Sequence, residues 1–164
     1  MNAAKPGTRL LLWNVVSLNI GWWACVLAAV HGPVWAGPGV VAALVAVHLL
    51  LVPARQREIA TLFAAGLFGY AADSVLVLAG AFAFPPHAWL GWPTTVWMVA
   101  LWVNFATSFN VALHWLVHRP VLAVLLGAAG GPLAYVGGWQ LGGLVAPDGP
   151  WVLAAWVAVQ WAVA

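Results

Sequence analysis

From Leu10 to Val30 the chain reads LLLWNVVSLNIGWWACVLAAV, an apolar run with no charged residue in it. A helix of about 20 such residues crosses the roughly 30 Å hydrocarbon core of a bilayer. Runs of this kind recur to the end of the chain, and they constrain the fold more than any motif does. Hydrocarbon holds no water for backbone N–H and C=O groups, and an α-helix satisfies them within one segment. The runs predict spans at about 10–30, 35–52, 59–82, 95–117, 121–145 and 150–164. From Trp151 only about 14 residues remain, fewer than the roughly 17–25 of a usual crossing, so five spans plus a short last segment is the alternative. The expected fold is all-α: a polytopic membrane helix bundle with six transmembrane helices, one integral membrane domain over residues 1–164.

Charged residues make up only 5% of the chain and hydrophobic ones 65%. A soluble domain carries about 25% charged residues, so this chain has too few to cover a water-facing surface. Five Lys and Arg and a formal charge of +2 supply no basic surface for nucleic acid, and no nucleic-acid partner is expected. The lone Cys25 excludes an internal disulfide. The first apolar run exceeds the roughly 7–15-residue core of a signal peptide and reads as a retained span. The placement of the basic residues sets the orientation. With the N-terminus cytoplasmic, Lys5, Arg9, Arg55, Arg57 and Arg119 all lie inside and Asp148 lies outside, as the positive-inside rule requires. Trp35, Trp89, Trp92, Trp97 and Trp151 then mark the outer interface, and Trp13 and Trp115 the inner one.

The fifth span presents Gly127, Gly131, Ala134, Gly138 and Gly142 at helical spacing, a stripe of small residues that lets another helix approach closely. Pro132 within it predicts a kink. The kink either belongs to a packing seam or opens a cavity beside Tyr135 and Gln140. Gly66 and Gly69 form a shorter version of the same device.

Polar residues inside the spans are the candidates for function. On a helical wheel Asn104, Thr107, Ser108, Asn110, His114 and His118 fall within an arc of about 160°. That side must face protein or water. Asp73 is the one carboxyl inside a predicted span. At 1.5 Å per residue Asp73 and Asn104 both sit roughly 12–14 Å below the outer boundary, with Tyr135 near the same level. A carboxyl at such depth is either protonated or hydrogen-bonded, and Asn104, Tyr135 and Ser74 are its expected partners. Asp73, Asn104, Thr107, Ser108, Asn110 and Tyr135 thus form a candidate intramembrane polar site. Asn14, His48, His114 and His118 form a second layer nearer the cytoplasm, beside Arg119, with Asn19 intermediate. An intramembrane carboxyl marks a functional position by default. The competing reading is an interhelical clamp worth about 1 kcal/mol per bond.

His31 and His87 lie in external connections. The i, i+4 spacing of His114 and His118 suits two ligands of one metal. The HExxH pattern and any adjacent Cys or carboxylate cluster are missing, so no metal and no cofactor is expected. A phosphate-binding glycine loop, a GxSxG elbow and a paired-aspartate motif are also missing, which counts against an enzyme.

Four ordered segments, "NIGWWACVLAA", "GLFGYAADSVLVLAG", "WMVALWVNFATSFNVALHWL" and "GPLAYVGGWQLGGL", resemble an uncharacterised family of small bacterial inner-membrane proteins of six-span type, a domain of unknown function. The resemblance covers nearly the whole chain. It implies a bacterial inner-membrane location, with Asp73, Asn104, Asn110, Gly131, Pro132 and Tyr135 as the matching special positions. Genes of that family lie near genes similar to cyclopropane-fatty-acid synthases and flavin oxidoreductases, which implies involvement in membrane fatty-acid modification. The first expectation is therefore an accessory or lipid-binding component with a polar intramembrane pocket. Its partners would be membrane lipids, with other membrane proteins or further copies of the chain as additional candidates. A small proton-coupled transporter using Asp73 is the second. No inverted repeat relates residues 1–82 to 83–164, which counts against it. A membrane enzyme using Asp73 and the histidines is the third.

Overall fold

The computed structural model describes residues 7–164 and contains six α-helices. They are α1 (Thr8–His31), α2 (Ala36–Leu51), α3 (Arg55–Leu78), α4 (Val96–Ala106), α5 (Pro120–Gln140) and α6 (Pro150–Val163). Short 3-10 turns cover Pro86–Ala88 and His114–Leu116. Lys5 lies outside the described residues. Helices α1, α3 and α5, of 24, 24 and 21 residues, are long and apolar enough to cross a membrane, whereas α2, α4 and α6 are shorter. The surface is apolar, with Phe63, Leu67, Val75, Val121 and Leu133 all exposed. Asn14, His48, Glu58, Asp73 and Asn104 are buried. That inversion of the soluble pattern is compatible with a membrane protein.

Helix ends differ from the apolar runs where local chemistry intervenes. Helix α3 starts at Arg55, before the expected 59, because Glu58 is drawn into the bundle. It stops at Leu78, where Gly80 takes a φ of +79° and the Ala81 N–H donates to the Leu76 carbonyl. This is the left-handed glycine cap that ends many helices. Helix α5 closes in the same way: Gly142 has a φ of +90° and the Gly143 N–H reaches back to the Gly138 carbonyl. Gly142 is thus a helix terminator outside α5, not part of its packing stripe. Pro132 lies inside α5, which runs unbroken from Pro120 to Gln140.

The largest departure is in α4, which ends at Ala106 instead of near 117. The Thr107 hydroxyl donates to the Asn104 carbonyl at 2.7 Å. The next backbone bonds run from Ser108 to Phe105, Phe109 to Ala106 and Val111 to Ser108. Asn, Ser and Thr side chains compete with the helical ladder for backbone groups, and here they replace it with tighter turns. Residues after Ala106 therefore do not continue one polar helical face.

Helix α4 packs against α1, α2 and α3, and α5 pairs with α6. Glycines set the closest approaches. A Cβ on Gly37 would lie 2.5 Å from the Cys25 Cα, and one on Gly127 would lie 2.7 Å from the Trp161 carbonyl oxygen. Gly69 lies flat against the Trp102 ring and Gly131 against the Trp161 ring, so neither can carry a Cβ without displacing an indole. The two indoles stack on each other, with centroids 4.7 Å apart and planes inclined by 23°. A continuous layer of glycine, indole, indole and glycine thus crosses from α3 through α4 and α6 to α5.

At the far end the connection between α3 and α4 folds over the bundle and buries Phe82, Phe84, Ala88, Thr94 and Thr95. Ala83 and Val145 exchange two backbone hydrogen bonds, of 2.9 and 2.8 Å, which tie this connection to the one between α5 and α6. Trp97 is only 1% exposed and donates its indole N–H to the Ala88 carbonyl at 3.0 Å. It is a core residue, unlike the exposed Trp35, Trp89, Trp92 and Trp151. A buried indole needs a partner for its N–H, and the folded connection supplies one.

Adjacent glycines test the stacked layer. Gly131→Ala forces the Trp161 ring to move, whereas a Cβ at Gly130 meets open space. Overpacking of this kind costs about 1–3 kcal/mol, and thermal unfolding in detergent should show Gly131→Ala clearly destabilised. Gly130→Ala should be neutral or slightly stabilising, since Ala is favoured over Gly in helices by up to about 1 kcal/mol.

Candidate functional site

Asp73, on α3, is fully buried and holds three helices to its own. The Tyr135 hydroxyl from α5 donates to its Oδ1. The Gln160 amide from α6 donates to the same oxygen at 2.7 Å. The Trp102 indole from α4 donates to Oδ2 at 3.0 Å. An Asp side chain is rich in acceptor sites, and three neutral donors converge on it. Of the sequence-predicted partners Tyr135 is present. Asn104 sits elsewhere, and the Ser74 hydroxyl, although buried, has no partner among the described residues.

Asn104 instead joins a chain of bonds to α1. Its amide donates to the Leu18 carbonyl at 2.9 Å, and its side chain rests on Gly21, where a Cβ could not fit. The Asn14 amide donates to both the carbonyl and the hydroxyl oxygen of Thr107, each at 3.1 Å. The Ser17 hydroxyl donates to the Asn14 carbonyl at 3.1 Å. These contacts fasten the end of α4 to the first half of α1. The buried Ser108 hydroxyl has no partner among the described residues.

A third cluster lies where α2 ends and α3 begins. His48 Nε2 and Glu58 Oε1 are 2.8 Å apart, with the side chains 1% and 4% exposed. The Asn110 amide donates to Glu58 Oε2 at 2.9 Å. Asn110 thus belongs with His48, at the second level, and not with Asp73. His114 is partly buried in the 3-10 turn and His118 is exposed. Because α4 has ended, these two do not sit one helical turn apart on a common face. Among the described residues no group of three or more His, Cys, Asp or Glu side chains could hold a metal ion.

Two surface depressions lie beside this third cluster. One, of about 330 Å³, is lined by Pro53, Ala54, Arg55, Gln56 and Arg57. The other is a groove of about 260 Å³ lined by Val45, Leu49, Ile59, Leu62, Phe63 and Val103. Asp73 lines neither. Its three donors occupy it and no second carboxyl bonds to it among the described residues, so proton transfer to a substrate would first require Trp102, Tyr135 or Gln160 to leave. Gly127 and Gly131 serve the α5–α6 seam, while Gly138 meets Leu144 at an ordinary 3.6 Å. Gln140 is exposed.

Glu58, Trp102 and Gln160 carry these contacts without having been expected from the sequence. Glu58 precedes the apolar run by one residue and reads as the rim of a span. Trp102 reads as apolar, although an indole far from either interface needs a partner for its N–H. Gln160 had the clearest signal, as the only amide in the last apolar segment, since an isolated polar side chain in such a helix bonds across to a neighbour.

A family described as "Protein of unknown function (DUF2878)" matches residues 11–164. No curated protein and no solved structure matches the chain.

Because Tyr135 and Gln160 donate to the same oxygen, their removal should be coupled. Tyr135→Phe and Gln160→Leu should each cost about 1 kcal/mol, a usual size for an interhelical hydrogen bond in a membrane. The double variant should depart from additivity, as residues in one network do. Asp73→Leu strands all three donors, and a stranded buried donor costs about 1–3 kcal/mol, so it should be the least stable. Unfolding titrations of the four variants in mixed micelles measure this. A stable Asp73→Leu protein would show that the carboxyl does not hold the helices.

Proposed function

We propose, for a chain that belongs to the DUF2878 family of proteins of unknown function, a lipid-binding role in membrane fatty-acid modification. In this reading the protein is a multi-pass component of the bacterial inner membrane with a cytoplasmic N-terminus and six helices within the bilayer. The observation that carries the lipid-binding part is the groove between α2 and α3, whose six lining residues are all apolar. Val103 of α4 contributes to its wall, and Phe63 at its side is 74% exposed. Bare apolar walls lack dispersion partners on one side, and in a bilayer the nearest material to supply them is an acyl chain.

The orientation rests on contacts that bring the basic residues to one end. Asn14 meets Thr107, and His48 meets Glu58, which in turn meets Asn110. Arg9, Arg55, Arg57 and Arg119 are therefore neighbours of one bundle end, while Asp148 follows the opposite ends of α1, α3 and α5. That asymmetry supports a cytoplasmic basic face. The place in fatty-acid modification rests on the gene neighbourhood of the family that the four motifs resemble. The polar centre acts in this reading as a clamp, and the lipid pocket lies at the α2–α3 groove. A proton-coupled carrier is disfavoured because its protonatable Asp73 has no exposure. An enzyme is disfavoured because Asp73 and Tyr135 are both buried and line neither surface depression.

Lipid analysis of a deletion strain tests the pathway. The expected result is an altered fatty-acid profile, restored by the wild-type chain and poorly restored by Ile59→Trp, which fills the groove. An unchanged profile with and without the protein, including under oxidative stress, would remove this reading.

A further inference from the structure

We infer that the occupant of the α2–α3 groove is an anionic phospholipid whose phosphate is held by Arg55 and Arg57, an assignment that rests on the lipid-binding reading above. One hydrogen bond connects the groove to the basic depression. Leu49 lines the groove, and its carbonyl accepts a 2.8 Å hydrogen bond from Arg55 Nε. That bond anchors the Arg55 side chain to a groove-lining residue through its Nε alone, and Arg55 and Arg57 both line the depression. An arginine fork matches the geometry of a phosphate and can donate two parallel bonds to it.

The two cations lack an internal counterion. Among the described residues the one ion pair is His48 with Glu58. Glu58 stands on the same helix turn as Arg55 and Arg57 but is only 3% exposed. Its two oxygens are taken up by His48 and Asn110. The acid nearest in sequence is thus turned inward, and both arginines are exposed. A zwitterionic headgroup would bring an ammonium toward this pair, whereas an anionic one brings net negative charge. The leaflet geometry agrees: the phosphate would lie at the α2–α3 turn, and the chain would descend along Leu49 and Ile59 toward the bundle centre. Basic residues at a membrane surface strengthen binding to anionic lipid by roughly fivefold each.

The full-length protein, extracted from vesicles of phosphatidylethanolamine with or without phosphatidylglycerol and examined by native mass spectrometry, tests the assignment. The wild type should retain phosphatidylglycerol in preference to phosphatidylethanolamine. R55Q/R57Q should lose that preference by roughly tenfold or more while its melting profile and its retention of phosphatidylethanolamine stay unchanged. R119Q removes a basic residue that lies over Trp115 and lines neither the groove nor the depression, and should keep the preference. Ile59→Trp should lower retention of both lipids. Equal retention of the two lipids by the wild type, or an undiminished preference in R55Q/R57Q, overturns the anionic assignment and leaves lipid binding standing. Retention that Ile59→Trp does not change for either lipid overturns the lipid-binding reading itself.

Discussion

One carboxyl ties the two helix groups of this chain together by hydrogen bonds. Helices α1, α2 and α3 pack around α4, and α5 pairs with α6. The α5–α6 hairpin meets the rest mainly through large side chains and through the paired connections at Ala83 and Val145. Asp73 and Trp102 come from the first group, and Tyr135 and Gln160 come from the second. The carboxyl therefore docks the hairpin, and the stacked Trp102 and Trp161 rings lie beside it as the apolar part of the same joint. In lipid the joint gains little from burial of apolar surface, so directed bonds and close packing carry the association. Gly69 and Gly131 matter for this reason. Each removes a Cβ where an indole must lie flat: Gly69 makes room for Trp102, which bonds Asp73, and Gly131 makes room for Trp161.

The other polar residues work in the same way at different levels. Asn14, Thr107 and Asn104 tie the end of α4 to α1, and His48, Glu58 and Asn110 tie the end of α2 to the start of α3. Each tie sits near a helix end, where backbone carbonyls or N–H groups lack helical partners. The early end of α4 follows from this. A polar segment that spends its side chains on backbone groups and neighbouring helices gives up part of its own ladder.

The division of labour that results places polar chemistry inside the bundle and apolar shape on its flank. A buried site saturated by its own neighbours is suited to holding helices. A groove with bare apolar walls and an arginine bonded at its edge is suited to holding an amphipathic molecule. In the proposed role the two are linked through α3, which carries Glu58 and Ile59 at one end and Asp73 near the other, and through α4, where Trp102 bonds Asp73 and Val103 walls the groove.

Hydropathy by itself determined that the chain is all-helical and where most helices lie. Those are properties of one helix at a time: length, rise per residue and the cost of leaving a backbone group unpaired. The partners were another matter. Asp73 took Trp102, two positions from Asn104, because a shift of two residues turns a helix side chain by about 200°. Glu58 was drawn into the bundle by a histidine on a different helix, and Gly142 ended a helix it was expected to line. Which side chains meet depends on the rotation and crossing of neighbouring helices. Only the tertiary packing decided that, because the glycine contacts that set it are made between segments and leave no periodic trace within any one of them.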